Sequence, residues 1–324
     1  MRPAWLALLL ALTACAPAAR IAMPAWQAPL GRDHPLTGRV WDVAAARFID
    51  ADTLPSRLAP ARFVLLGEQH DNPDHHRLQA GLVRALAATG RRPAVALEML
   101  DTAQAPALAR HLAASPRDAA ALGDAVNWRR SGWPPWSLYE PIARAALDAG
   151  LPILAANLPA ATIAAVVRGN PSALPPSLVA THALDRALPG PMQAAMAADI
   201  RDAHCGHATE PMLARMITAQ RARDAHMADI LLTAASDGAV LIAGTGHARH
   251  DRGVPTYIRA RAPHATTAVL AFLEVHPAAP NPEAYAARFN ATSLPFDYVW
   301  FTPGMDDSDP CETFRRSLER LRRR

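Results

Sequence analysis

Six short apolar runs, each bounded by turn-forming residues, constrain this chain more than any other feature: Arg62 to Leu66, Ala94 to Leu97, Pro152 to Ala156, Ala239 to Ala243, Thr267 to Val275 and Tyr298 to Phe301. They are nearly continuous in Val, Leu, Ile and Ala instead of alternating with polar residues. That is the pattern of strands buried on both faces, as in a parallel sheet covered by helices. Pro73 to Thr89, Ser137 to Gly150 and Pro211 to Thr233 carry helical periodicity between them, with Gly90 and Gly150 as C-terminal stops. The order predicts an α/β fold with a mainly parallel central sheet flanked by helices. Between Pro159 and Ala235 there are only helical stretches, broken by Gly169-Asn170-Pro171 and Pro189-Gly190-Pro191, so a helical insertion or cap is expected over about 159–235.

Ahead of this domain, Met1-Arg2-Pro3 and the apolar run Ala4 to Leu12 read as a signal peptide over residues 1–14. Leu12-Thr13-Ala14-Cys15 resembles a bacterial lipobox, which implies acylation of Cys15 and attachment to a lipid bilayer. Ala16 stands where an aspartate would retain a lipoprotein in the inner membrane. The expected location is therefore the outer membrane, facing the periplasm or the cell surface. Residues 15–36, with Pro17, Pro24, Pro29 and Pro35, read as a tether, 37–303 as the α/β domain and 304–324 as a basic tail. The net charge of +4 is concentrated at its very end: over residues 315–324 six arginines against Glu319 give +5, leaving about −1 elsewhere and no footprint for nucleic acid. No lysine occurs, which excludes lysine Schiff-base and general-base chemistry. Cys205 and Cys311 remain as an even pair in a disulfide-permissive compartment. A bridge, simple burial, or a soft-metal role for His204-Cys205-Gly206-His207 are the open readings.

Parallel sheets bind ligands at the carboxyl ends of their strands, where departing loops converge. The expected ends carry Gly67-Glu68-Gln69-His70-Asp71, Glu98-Met99, Asn157, and Gly244-Thr245-Gly246-His247 followed by Arg249, His250 and Asp251. Four strands thus deliver polar groups to one edge. Asn72-Pro73-Asp74 reads as an N-cap, a first-turn proline and an acidic first turn, starting a helix directly after His70. His75 could point back toward the site, although a lone His75 or His76 also fits surface or satisfied core. On the last predicted helix Met212, Met216, Gln220, Asp224 and Met227 fall near one face; the methionines read as core, and a buried Gln220/Asp224 pair would need partners such as Arg223 or the site itself.

These residues carry a resemblance. Gly67 to Asn72, Glu98-Met99, Asn127-Trp128 through Trp136, Tyr139-Glu140-Pro141, Asn157-Leu158-Pro159, His204-Cys205-Gly206, Ala219-Gln220 with Arg223-Asp224, and Gly244 to His247 resemble the ChaN family in family order, over about Gly38 to Pro303. That family comprises haem-binding lipoproteins implicated in iron uptake, within a superfamily that includes Tiki and TraB proteins and resembles erythromycin esterases. The resemblance implies a ChaN- and esterase-like α/β fold, haem as ligand and, by the same analogy, haem shared across a homodimer. It also implies an alternative: a metal-dependent or His/Glu-based hydrolase of peptides or esters, in which Glu68, His70, Glu98 and His247 form the acid/base set or hold a divalent metal.

For haem, the sequence offers His70, Asp71, Trp128, Tyr139, His247 and Arg249 as binding residues, with the aromatics Trp128, Trp133, Trp136 and Tyr139 near Arg129 and Arg130. These aromatics equally suit packing of a loop. No Cys-x-x-Cys-His occurs, so covalent attachment is not expected. The family's association with tyrosine ligation does not single out one of Tyr139, Tyr257, Tyr285 and Tyr298, and the axial ligand stays open.

Overall fold

A computed structural model of the chain describes residues 25–234 and 237–307, together with 311, 312, 315 and 319. The signal peptide, Cys15 and most of the basic tail lie outside the described residues. The six apolar runs all form strands, here β3 (Phe63–Glu68), β4 (Ala94–Asp101), β5 (Ile153–Asn157), β6 (Ala239–Gly244), β7 (Thr267–Glu274) and β8 (Tyr298–Thr302). Two short strands that sequence periodicity does not reveal, β1 (Val40–Asp42) and β2 (Arg47–Ile49), complete an eight-stranded sheet of order β2-β1-β8-β7-β3-β6-β4-β5. β3 to β8 are mutually parallel, and β1 runs antiparallel to β8 and β2. Three residues are too few to display a period, which is why β1 and β2 escape a sequence reading.

Strand alternation divides the core into two layers. Val64 and Leu66 of β3 and Val95, Leu97 and Met99 of β4 point into one layer, with helices Pro73–Ala88 and Trp136–Asp148. Phe63 and Leu65 of β3 and Ala94 and Ala96 of β4 point into the other, with helices Glu210–Thr233 and Val254–Arg261. Continuing the alternation sends Glu68 into the first layer and Glu98 into the second. Both are buried.

β3 leads on to β4 on one side, whereas its hydrogen-bonded neighbour β6 leads to β7 on the other. Their carboxyl ends therefore flank a topological switch point, where departing loops separate and leave a crevice. Glu68 and Gly244 are register partners there. A Cβ on Gly67 would lie 3.1 Å from both the Thr245 Cα and the Ala248 Cβ, so this glycine lets the short helix Thr245–Ala248 settle against β3.

The stretch read as a helical insertion forms helices Ala160–Val167, Pro176–His182, Gly190–Ala203 and Glu210–Thr233, and all but Gly190–Ala203 contribute to a small apolar cluster that also takes in Leu158, Leu174 and Leu184. Cys205 and Cys311 form a disulfide that ties the end of Gly190–Ala203 to the C-terminal segment. Of the segment read as a tether, Ala28 and Leu36 are buried against the domain, and the amides of Gln27 and Ala28 donate to the Asp74 carboxylate.

Candidate functional site at the carboxyl edge

Glu68 anchors the first half of the site. Its Oε1 receives the Tyr139 hydroxyl (2.9 Å) and pairs with His70 Nδ1 (2.9 Å), while its Oε2 lies 3.2 Å from His76 Nε2. Burial opposes the carboxylate charge, but His76 and His70 outweigh it and hold Glu68 far below the ordinary carboxylate range. The His70 pKa is raised: burial opposes its charged form, and the Glu68 hydrogen bond and the Glu98 charge overcome that. Because Nδ1 is committed to Glu68, the atom His70 presents to the crevice is Nε2, 4.0 Å from Glu98 Oε2. The ring is 30% exposed and packs on Trp133 at 4.8 Å between centroids. A Cβ on Gly244 would lie 2.8 Å from His70 Nε2, so the glycine leaves room for the imidazole.

Glu98 anchors the second half. One oxygen pairs with Arg223 and with His247 Nε2 (3.3 Å), and the other accepts the Gly244 amide (2.7 Å). His247 Nδ1 meets Asp224 Oδ1 at 2.5 Å, and the Gln220 amide lies 3.1 Å from the same nitrogen. Burial works against the imidazolium, yet the charges of Glu98 and Asp224 push His247 up to about 9. Glu98 falls well below its usual range because His247 and Arg223 overcome its burial, whereas burial raises Asp224. Asn157 holds the arrangement from β5, donating to the Glu98 carbonyl (3.0 Å) and accepting from Arg223 Nε (3.3 Å).

Glu68, His70, Glu98 and His247 therefore converge, but as salt-bridged pairs. Among the described residues no three His, Cys, Asp or Glu side chains are arranged to hold a metal ion. The carboxylates that a metal would need already face imidazolium, guanidinium, hydroxyl and amide donors, so the divalent-metal expectation finds no support. His75 points away from the crevice: Nδ1 accepts the Gln69 amide and Nε2 meets Thr302 Oγ1 (2.8 Å). Burial and the neighbouring His76 charge push it down to about 3.

The other expected haem contacts lie in three different settings. Trp128 and Tyr139 are buried in the core, Trp128 donating to the Pro134 carbonyl. Burial, with the Glu68 charge, raises the Tyr139 phenol far above its usual value and keeps it protonated. Asp71 is exposed beside His70. Arg249 is buried, its guanidinium bound to Asp199, Asp251 and the Phe289 carbonyl.

Alongside the Glu98 half lies a cavity of about 370 Å³ between the insertion helices and Gly246. Ile163, Val167, Met196, Ile200, Met216 and Ala219 supply apolar wall, and Gln220 and Arg223 connect it to His247 and Glu98. His204 also lines it, with Nδ1 donating to the Ile200 carbonyl at 2.8 Å. Sequence reasoning singled out Gln220, Arg223 and Asp224 but not this cavity, which is assembled from four segments far apart in the chain. Met216 faces it rather than core, Met227 is core and Met212 is 39% exposed.

None of the curated protein sequences matches the chain. ChaN of Campylobacter jejuni, solved with cofacial haem, shares the fold over 81% of this chain and 95% of that one, with a TM-score of 0.63 at 22% identity. An erythromycin esterase EreC mutant in its open conformation aligns over 84% of this chain and 99% of that one, with a TM-score of 0.46 at 12% identity. The model of the family described as haem-binding uptake, Tiki superfamily, ChaN matches residues 54–258, more than half of the chain. The chain belongs to that family.

Proposed function

We propose that this protein binds haem in the cavity beside Glu98 and His247, as an outer-membrane lipoprotein anchored through acylated Cys15 and serving haem and iron acquisition. Family membership supports the ligand, and the cavity is the observation that carries its placement. Its walls are mainly apolar, as a porphyrin face requires, with an imidazole and the charged ends of Asp199, Arg223, Arg249 and Arg252 among them. Tyr139 does not fit as an iron ligand, because its phenol is buried and donates to Glu68. A second copy of the chain is the partner this reading expects, since the Campylobacter jejuni relative binds haem cofacially.

One observation favours a second reading. Buried Glu68 orients His70 through Nδ1 and leaves Nε2 at a partly open position, the arrangement of a general base in a His/Glu hydrolase. The two readings separate by titrating haemin into the mature chain carrying Cys15→Ser. Haem binding predicts a saturable Soret shift, lost in Ala219→Trp, which fills the cavity, and retained in His70→Ala. Absence of any shift in the parent protein, with hydrolysis of model esters abolished by His70→Ala, would overturn the haem reading.

A further inference from the structure

A second cavity, of about 320 Å³, lies on the other side of Met196 between the insertion and helix Val254–Arg261, and it shares Met196 and Arg252 with the first. Its charge is one-sided. Arg221, Arg252 and Arg261 reach it together with His182, Tyr257 and Thr256, and no carboxylate lines it. The three arginines differ in how they are neutralised. Arg252 is paired with Asp199 and Asp251. Arg261 reaches Asp229 only at 4.0 Å, and that carboxylate is already 3.0 Å from His182. Arg221 has no acidic partner within 4.0 Å among the described residues, although it is only 8% exposed.

What Arg221 does hold is three carbonyls. Nη1 donates to Leu184 and Arg186, and Nη2 donates to Ala183, at the end of helix Pro176–His182. That capping role accounts for three of five N–H groups. The Nε–H is buried without an acceptor in hydrogen-bond geometry, and the Tyr257 hydroxyl, which also lines the cavity, interacts with the same guanidinium. Together with the remaining Nη2 proton the Nε–H forms the side edge of the guanidinium, whose geometry matches two oxygens of one oxyanion. Capping alone explains neither the unmet donor nor a cavity next to it with arginines and hydroxyls but no acid.

We infer that this second cavity is an oxyanion site, built on Arg221 and Arg261, that takes a carboxylate or phosphate group. The chemistry has two sources: a free small anion, or the propionates of a haem seated in the adjoining apolar cavity. The site itself does not depend on the haem reading, whereas the propionate source does.

The test uses the mature chain with Cys15→Ser and three probes: inorganic phosphate, haemin and haemin dimethyl ester. A free-anion site predicts that phosphate, but not chloride at equal ionic strength, raises the thermal midpoint of the parent and not that of Arg261→Gln. A propionate site predicts that the dimethyl ester binds about tenfold more weakly than haemin, and that Arg261→Gln removes this difference. Arg221→Gln should behave likewise where it folds; Arg261, whose side chain is 49% exposed, keeps the test independent of the cap. Equal binding of haemin and its ester, with no phosphate effect, would overturn the site. Phosphate binding without any haemin binding would sustain it while removing the haem reading.

Discussion

His70 and His247 occupy equivalent places in two Gly-x-x-His motifs at the ends of adjacent parallel strands, yet they live in opposite conditions. His70 leans on one carboxylate, Glu68, and shows 30% of its ring to solvent beside Trp133. His247 is enclosed between two carboxylates, Glu98 and Asp224, with Arg223 balancing the second charge of the group. Strand parity produces the difference. Glu68 and Glu98 are each the even-numbered carboxylate that directly follows an apolar run, but the parity of β3 and β4 is offset, so the two carboxylates point to opposite sides of the sheet. One meets the helix that follows β3, which brings His76, and the helix that brings Tyr139; the other meets the long helix of the insertion, which brings Gln220, Arg223 and Asp224. The same local motif thus yields a presented histidine on one face and a locked one on the other.

The strongest way to break this contrast is to remove the carboxylate that locks His247. Glu98→Ala leaves a half-buried guanidinium and a buried imidazolium without their shared counter-ion and should cost about 3–5 kcal/mol, read from urea unfolding. Glu68→Ala should cost less, because His70 can turn to solvent. Equal costs would mean that the two halves are energetically alike despite their different enclosure.

Next in size is the pH response. His247 is raised from 6.5 to about 9, so its pairing stabilises the fold fully below pH 6.5, and that contribution, up to about 3 kcal/mol, is lost as pH rises through about 9. Glu98 and Glu68 act in the opposite direction: both are depressed, so their contribution is present at neutral pH and is lost as pH falls below the usual carboxylate range. Unfolding midpoints measured across the alkaline window should fall in the parent and stay flatter in His247→Gln. Asp224→Asn should move the window to lower pH, since one of the two charges that hold the proton is gone.

The division into layers explains which parts were legible in the sequence. β3 to β8 could be read because strands buried on both faces need uninterrupted apolar residues, and Asn72-Pro73-Asp74 could be read because Asn72 Oδ1 does accept the Asp74 amide. The convergence of Glu68, His70, Glu98 and His247 followed from strand ends alone. Their pairing did not, because it depends on the parity offset between β3 and β4 and on the rotation of helix Glu210–Thr233 about its axis. His76 illustrates this: nothing local distinguishes it from a surface histidine, and only the approach of Glu68 and the Tyr139 ring, 4.3 Å away, makes it part of the site. Arg249 shows the same limit from the other side: its position after His247 marked it as a haem contact, and it does line the cavity, but nothing local announces Asp199, from a distant helix, which pairs with its guanidinium.

Gly244→Ala tests the presented histidine more gently. Gly244 has φ −56°, so alanine introduces no backbone strain, but its Cβ would lie 2.8 Å from His70 Nε2 and 3.6 Å from Glu98 Oε2. His70 must swing outward, at about 1–2 kcal/mol. Separation from Glu98 should also lower its pKa, visible in the imidazole proton shifts on titration, while His247 keeps its high value. A parallel fall in both would show that the two halves are one coupled unit.

The smallest effect is expected from Tyr139→Phe, which deletes the hydroxyl donated to Glu68 and leaves His70 and His76 around the carboxylate. One hydrogen bond of about 1 kcal/mol should be lost. Its value lies in the second readout. If haem sits on the insertion side of the sheet, the Soret band of the haemin complex should be unchanged in Tyr139→Phe, because Tyr139 and Glu68 belong to the opposite layer. A lost or displaced band, with the far-ultraviolet circular dichroism intact, would transfer the haem to the His70 and Trp133 side and make the presented histidine, rather than the locked one, the neighbour of the ligand.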